Sequence, residues 1–253
     1  MKNMKLIAAV ISVVSSVVAA PVLAGSDRYI LPPGCKAFLT VQQKDCRVEH
    51  HWTCSDDPEG SQWIMSMGEG GPEFLQQVDR EFVWLKSYVP DSRESRAIKR
   101  PAQDLNSLSR LLEAGADNYD FEVQVSVDGA ETAVERVRGY DRLTGEKITI
   151  DGEPLLVIAY DYSEQSNVED QPVKSSGKQY VSERFRSFFL GQGRDEVGGE
   201  VTEYDAAPVQ FIEPGEAGFL SVKPQYGCSQ IMSGLSLPRN ENMIPNKETN
   251  DDI

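Results

Sequence analysis

Apolar and polar residues alternate along most of this chain in short runs separated by glycine, proline and aspartate. A period of two marks strands with one buried face. Cys35, Ala37, Leu39 and Val41 share one parity, and so do Val48, His50, Trp52 and Cys54 across a turn at Lys44 and Asp45. An antiparallel register pairing Val41 with Val48, Leu39 with His50, Ala37 with Trp52 and Cys35 with Cys54 puts that whole set on one face. Gln62 to Met67 reads as a third strand, closed by a wide turn over Gly68 to Pro72. Glu81 to Tyr88 is apolar on both parities and predicts a strand buried on both faces. Pro90 to Pro101 is charged and broken by proline, which predicts a loop.

The period then changes. Leu105, Leu108, Leu111 and Leu112 recur at helical spacing, with Asp104 or Asn106 available as N-cap and Gly115 as the left-handed C-terminal stop. Strict alternation resumes at Tyr119, Phe121, Val123, Val125 and Val127, up to the hairpin turn Asp128-Gly129. Thr132 to Tyr140 returns, Thr144-Gly145 turns, Lys147 to Ile150 goes out, Asp151-Gly152 turns, and Leu155 to Tyr162 comes back. Ser163 to Lys178 is polar and reads as a long loop, Tyr180 to Leu190 as a strand that bends near Phe188, and Glu200 to Tyr204 and Pro208 to Ile212 as further strands. About ten strands and one short covering helix predict a mainly β protein, an antiparallel meander forming an open barrel or sandwich.

Within the meander, Gly139–Ile158 matches Gly193–Ile212 at Gly139/Gly193, Gly145/Gly199, Glu146/Glu200, Asp151/Asp205, Pro154/Pro208 and Ile158/Ile212. The shared Asp-x-x-Pro pattern predicts a turn followed by a strand whose first residue donates no ladder bond, and hence a repeated hairpin. The chemistry does not repeat in full, since Arg142 and Lys147 have no equivalents of the same type in the second copy.

The ends of the chain set its compartment. Lys2 and Lys5, the apolar run Leu6–Ala20 and the small residues up to Ala24 have the form of a secretory leader over residues 1–24. Residues 25–228 then form one β-rich domain, with a subregion at 25–100 and the hairpin repeat at 119–228. Residues 229–253, polar and acidic at their end, are expected to be disordered. Loss of the leader's two lysines takes the net charge from −15 to −17, which argues against nucleic acid and anionic lipid surfaces as partners. No later stretch has the length and apolarity of a membrane helix. Four cysteines in an oxidising compartment imply two disulfides. Strand parity places Cys35 opposite Cys54, leaving Cys46 for Cys228. No Cys-x-x-Cys pair suggests a metal, and no cofactor is implied.

Sequence motifs of common enzyme classes are missing: there is no G-x-S-x-G, H-E-x-x-H, phosphate loop or dinucleotide fingerprint. His50, facing inward in the register above, is the one discrete candidate for a base, and adjacent His51 points to the opposite face. Asp141, Glu146, Asp151 and Glu153 gather near the turns, at a spacing unlike a calcium loop. Trp84, Phe121, Tyr160, Phe185 and Phe211 are candidates to line a concave face for an apolar small molecule. Arg138 and Arg186, with their neighbours Arg136 and Arg184, are candidates for an anionic group. The expected function is therefore a non-catalytic exported β-domain that binds an apolar ligand or an envelope protein, or acts as an envelope scaffold. The alternative is a periplasmic hydrolase with an acidic or histidine base.

The stretches RVRGYDRLTGEKITIDGEPLL and PVQFIEPGEAGF, with the later YGC, resemble an uncharacterised group of exported proteins of Gram-negative bacteria, from about Gly34 to Cys228. The resemblance implies a periplasmic location and assigns no activity or site residue. In outline, a meander with one covering helix is also similar to periplasmic lipoprotein-carrier half-barrels, an analogy of fold alone.

Overall fold

A computed structural model describes residues 27–228. Twelve strands follow one another as a meander: β1 (Cys35–Gln43), β2 (Val48–Cys54), β3 (Gln62–Gly68), β4 (Gly71–Val78), β5 (Trp84–Val89), β6 (Glu94–Ile98), β7 (Ala116–Val127), β8 (Ala130–Ile150), β9 (Glu153–Ser166), β10 (Val173–Ser182), β11 (Ser187–Val197) and β12 (Glu200–Asp205). Each pairs with the next in antiparallel register, and β13 (Pro208–Ile212) returns to pair with β1. A single helix, α1 (Leu108–Ala114), lies between β6 and β7. The sheet is not closed into a barrel. Its two ends meet at a corner instead, where buried Ala206 and Ala207 join β12 to β13. Ala206 donates to the carbonyl of Gly191 on β11, and the carbonyl of Ala207 accepts from Lys44 beside β1.

The first hairpin carries the expected register only at its open end. Cys35 opposes Cys54 and Ala37 opposes Trp52, but the ladder slips at Phe38, so that Leu39 faces His51 and Val41 faces Glu49. A one-residue bulge exchanges the faces of everything beyond it. Leu39 and Val41 therefore turn to the apolar cluster of Leu155, Phe185, Phe189 and Phe211. Ala37, Val48 and Trp52 join Met65 and Met67 on the opposite face, which Tyr29, Leu31, Phe219, Leu220 and Val222 of the two terminal segments cover. Polar side chains of β1 hold that cover in place: Thr40 Oγ1 accepts from Leu220 N (2.9 Å), and Gln42 bonds Lys223 O (3.2 Å) and Gln225 N (2.9 Å). Both disulfides form as expected, Cys35–Cys54 from the parity and Cys46–Cys228 by elimination, the second tying the C-terminal segment to the β1–β2 turn. Bonds of this kind belong to an oxidising, non-cytoplasmic compartment.

Other expectations change. Gly71–Val78, whose first two residues were expected in a wide turn, is strand β4, and Pro90–Pro101 contains β6. Trp84–Val89 is half-exposed rather than buried on both faces. The long loop shrinks to residues 167–172 between β9 and β10, and the bent strand is two strands separated by a turn at 183–186 in which Arg186 has φ 49°. The helix ends at Gly115 as predicted (φ 80°), while its N-cap is Ser107, whose hydroxyl accepts from Arg110 N. The repeat is not one unit used twice. Gly145 sits at an irregularity inside the 21-residue β8, whereas Gly199 makes the β11–β12 turn. Gly139 and Gly193 do share a role, each lying opposite a tyrosine in the ladder, Tyr162 and Tyr204. A Cβ at Gly139 would collide with Tyr162, and one at Gly193 with the hydroxyls of Tyr160 and Tyr204, which hydrogen-bond to each other.

Near the α1 end, β9–β11 are apolar on both faces. Ile158, Val181 and Phe188 meet Ile64, Val78, Phe82, Leu108 and Leu111, while Leu155 and Phe189 meet β1 and β13. The helix thus plugs one end of the folded sheet.

Candidate functional site

The ring systems of Trp84 on β5, Phe121 on β7 and Tyr162 on β9 meet edge to face, Trp84 to Phe121 at 6.4 Å and Trp84 to Tyr162 at 6.0 Å between centroids. Tyr160 extends the row, 6.0 Å from Tyr162. With Tyr119, Val123 and Val137 they make an apolar floor. Among the described residues no further strand covers it: Ile98 at the end of β6 packs on it, Ala102 and Leu105 of the irregular chain before α1 lie over it, and Leu108 and Leu111 of the helix continue the cover toward Phe82 and Ile158. Beside Trp84 the packing is incomplete, leaving a cavity of about 40 Å³ against Arg96, Val123, Val137 and Glu164.

The cover is fastened by polar groups at its margin. The Arg110 guanidinium pairs with Asp117 and Asp104 and donates to the carbonyls of Leu105 (2.8 Å) and Asn118 (3.2 Å). Asp117 also accepts from Ser107 N at 2.6 Å. Opposite, Glu81 accepts from the Ser107 hydroxyl (3.0 Å), Ser109 N (2.8 Å) and the Ser109 hydroxyl (2.9 Å). Burial alone would raise the Glu81 carboxyl, but these bonds and the charge of Arg186 hold it below its ordinary value. Arg186 itself donates to the Arg80 carbonyl at 3.0 Å and approaches Glu81 at 3.5 Å. Asn106 completes the margin by donating to the Phe82 carbonyl at 2.7 Å.

Two buried carboxyls lie side by side under this margin, because Asp117 and Asp141 are ladder partners on β7 and β8. Burial, reinforced by the charge of Asp117, pushes Asp141 up to about 7, against a 2.7 Å hydrogen bond from Gln179 that favours its ionised form. A carboxyl of this kind can hold or release a proton near neutrality. Further along the inner face Arg96 meets Glu94 (2.8 Å), Glu135 (3.0 Å) and Glu164 (3.1 Å). Burial would lower Arg96, and the three acids more than offset it, so the guanidinium stays charged.

The aromatic candidates divide into two groups. Trp84, Phe121 and Tyr160 belong to the floor, whereas Phe185 and Phe211 stack on each other at 6.3 Å in the cluster between β1 and β13. The arginines do not converge either. Arg138 joins Arg136 in pairing with Asp120, Arg184 pairs with Glu153 and Glu213, and Arg186 belongs to the cover's margin. His50 is buried, as the parity predicted, on the same face of β2 as Val48 and Trp52, under the terminal segments; the bulge at Phe38 in β1 turns Leu39 away and sets Thr40 opposite it instead. There it meets Thr40 Oγ1 at 3.1 Å and stacks on Tyr29 at 5.2 Å, and burial depresses it to about 4. His51 turns the other way, its Nε2 3.5 Å from Glu49. The turn acids separate: Glu146 pairs with Lys178, Asp151 accepts from Phe211 N, and Glu153 takes Ser182 and Arg184. Among the described residues the single group of three ligating side chains is Cys46, Glu69 and Cys228, and its two sulfurs are bonded to each other.

Glu81, Arg110 and Asp117 were not singled out in the sequence. One signal was present: Asp117 stands on the same parity as Tyr119, Phe121 and Val123, a charged residue in a buried row. Compared with protein-family models, curated proteins and solved structures, the chain matches none.

Proposed function

We propose that this is an exported, non-catalytic binding protein of the cell envelope, and that its ligand is a single apolar chain lodged between the floor at Trp84, Phe121 and Tyr162 and the cover at 99–115. The observation that carries the reading is the mode of closure. An aromatic floor of a β-sheet is covered by an irregular stretch and one short helix, held by four backbone bonds to the sheet and its loops and by the ion pairs and hydrogen bonds of Arg110 and Glu81 at the margin. Lifting the cover would break its few backbone bonds, those of Lys99 to Glu122, Asp104 to Asp120, Leu108 to Glu81 and Gly115 to Leu143, while β6 and β7 stay paired beneath it. Regions with few regular backbone bonds are drawn from the low-stability end of a fold, where ligand-gated motion resides. Apolar contacts of Leu105 and Leu108 would be exchanged for those of the ligand, so occupancy requires no preformed large cavity. The resemblance to exported Gram-negative proteins supports a periplasmic location, in keeping with the two disulfides and with the expected leader, which lies outside the described residues.

The test is titration with a dansyl-labelled C11 fatty acid, read by energy transfer from tryptophan, on the wild-type protein and on Arg110→Ala. Saturable one-to-one binding that tightens in Arg110→Ala, and loses its transfer signal in Trp84→Phe, is expected. Absence of binding in both the wild type and the unfastened variant would remove the reading. The hydrolase alternative has one observation in its favour, the neighbouring carboxyls Asp117 and Asp141, and the same proteins assayed on p-nitrophenyl acyl esters separate it. Turnover abolished by Asp141→Asn would replace binding by catalysis.

A further inference from the structure

We propose that this protein is a client of a thiol–disulfide isomerase, which releases Cys46 from wrong pairings so that it can meet Cys228. The chain has four cysteines, and its native bonds interlace: Cys46 lies between Cys35 and Cys54, and its partner lies beyond both. The other two complete pairings are Cys35–Cys46 with Cys54–Cys228 and Cys46–Cys54 with Cys35–Cys228. Both commit Cys46 to a near neighbour.

Order of synthesis and chain entropy favour those wrong bonds. The N-terminal part of a chain emerges first, and Cys228 follows Cys54 only after 174 residues. Among the first three cysteines, Cys46–Cys54 closes 8 residues, Cys35–Cys46 closes 11 and the native Cys35–Cys54 closes 19. Closure falls as about the three-halves power of loop length, so roughly one first bond in seven is native and nearly all the others occupy Cys46.

The fold shows why Cys46 has to wait. It meets Cys228 on a finished sheet: its N–H donates to the Tyr226 carbonyl at 3.0 Å, the N–H of Lys44 donates to the Ala207 carbonyl at 3.1 Å, and β13 lies along β1. Gly227 passes so close to the Lys44 carbonyl that a Cβ there would collide with it. Wrong bonds block this assembly. In the first hairpin Cys46 stands at the turn, while Cys35 and Cys54 close the open end. The seven residues of β2 span roughly 20 Å at about 3.3 Å each, and the nine of β1 span more. A disulfide holds its two Cα atoms within about 7 Å. A bond from Cys46 to Cys35 or to Cys54 therefore excludes the hairpin, and with it the pairing of β13 on β1.

Once both wrong bonds have closed, all four sulfurs are used and the chain has no thiol with which to undo them. The isomerase supplies one. Its thiolate attacks Cys54 of a Cys46–Cys54 bond, forming a mixed disulfide and releasing the Cys46 thiolate. That thiolate attacks Cys228 of the Cys35–Cys228 bond, closing Cys46–Cys228 and releasing the Cys35 thiolate, which attacks Cys54 and returns the isomerase thiolate. Two bonds break and two form, with no net oxidation.

The test starts from the whole chain, reduced in urea and oxidised with diamide as the urea is diluted, its bonds mapped by mass spectrometry of alkylated peptides. Bonds of Cys46 to Cys35 or Cys54 are expected to outnumber Cys35–Cys54 about sixfold among the first formed. Reduced protein disulfide isomerase in catalytic amount should then speed recovery of the native pairing about tenfold or more. In the double variant Cys46→Ser, Cys228→Ser, where Cys35–Cys54 is the one possible bond, the enzyme should change nothing. Native Cys35–Cys54 dominating the first bonds, or native pairing recovered equally fast without the enzyme, overturns the proposal. Equal dependence on the enzyme in the double variant overturns it too, because the enzyme would then act by something other than rearrangement.

Discussion

Replacing Asp141 by Asn isolates the electrostatic cost of the two carboxyls beneath the cover. Asp141 is 7% exposed, faces Asp117 across the ladder and accepts a hydrogen bond from Gln179, which an amide oxygen can accept equally well. Its new NH₂ group lies next to Asp117, an acceptor. Moving a carboxyl from its ordinary 3.8 to about 7 corresponds to roughly 4 kcal/mol, an upper bound on what ionisation costs the fold. A folded-state pKa above the unfolded one means that the native state holds the proton longer. The neutral group's contribution is then complete below about pH 4 and is lost as pH rises through about 7. Asp141→Asn is therefore expected to match the wild type at pH 4, to exceed it by about 2 kcal/mol near pH 5.5, and to approach the full margin at pH 8. Urea unfolding at these three pH values, with the disulfides intact, measures the difference by linear extrapolation. A difference independent of pH, or an Asn variant weaker than wild type at pH 8, would refute the reasoning. Either would mean that Asp141 is ionised in the native protein at neutral pH at little cost.

Two further outcomes follow from packing and cross-links. Gly193→Ala drives a methyl group into the Tyr160–Tyr204 hydroxyl pair and should cost about 1–3 kcal/mol in urea unfolding, whereas Gly70→Ala, whose Cβ meets nothing within 4 Å, should stay within about 0.5 kcal/mol of wild type. Replacing Cys46 and Cys228 together by serine opens a bridge spanning 182 residues, against 19 for Cys35–Cys54. On the chain-entropy model the first loss should be near 5 kcal/mol and the second near 3, and the order of the two unfolding midpoints checks it.

The first hairpin, its disulfide and the helix stop were legible because each depends on local rules of strand parity, cysteine pairing and a left-handed glycine. The bulge at Phe38 was not, since inserting one residue leaves the sequence pattern on either side intact and only exchanges faces. β4, β6 and the start of β10 escaped for a common reason, which is that the inner surface of this sheet is partly polar. Gln77 of β4 is buried, Arg96 of β6 works among Glu94, Glu135 and Glu164, and Ser175 and Gly177 of β10 lie beside the tyrosines. A strand facing such an interior reads as a loop to any rule that equates burial with apolarity.

The same residues that spoil the pattern mark where the candidate site lies. Burying a charged or polar group is unfavourable unless it is paired, so its presence on a buried parity needs a partner, and the partner shows what that place in the fold must hold. Asp117 and Asp141 interrupt rows otherwise made of Tyr119, Phe121, Val123 and Val137, and what they meet is Arg110, the backbone of Ser107 and Gln179. Thr40, Gln42 and His50 interrupt β1 and β2, and what they meet is the C-terminal segment and Tyr29. In both places, apart from Gln179 on β10, the partners lie on segments outside the sheet, which a purely apolar row would hold with less specificity of position. The polar pair under α1 differs in one respect: it includes a carboxyl that burial raises toward neutrality, beneath a cover tied to β7 by a single bridge at Asp104 and Asp120 and by Lys99. The charge of that carboxyl acts on Asp117, which holds Arg110 and Ser107, whereas the cover over β1–β3 is held by Cys46–Cys228, a bond that does not titrate.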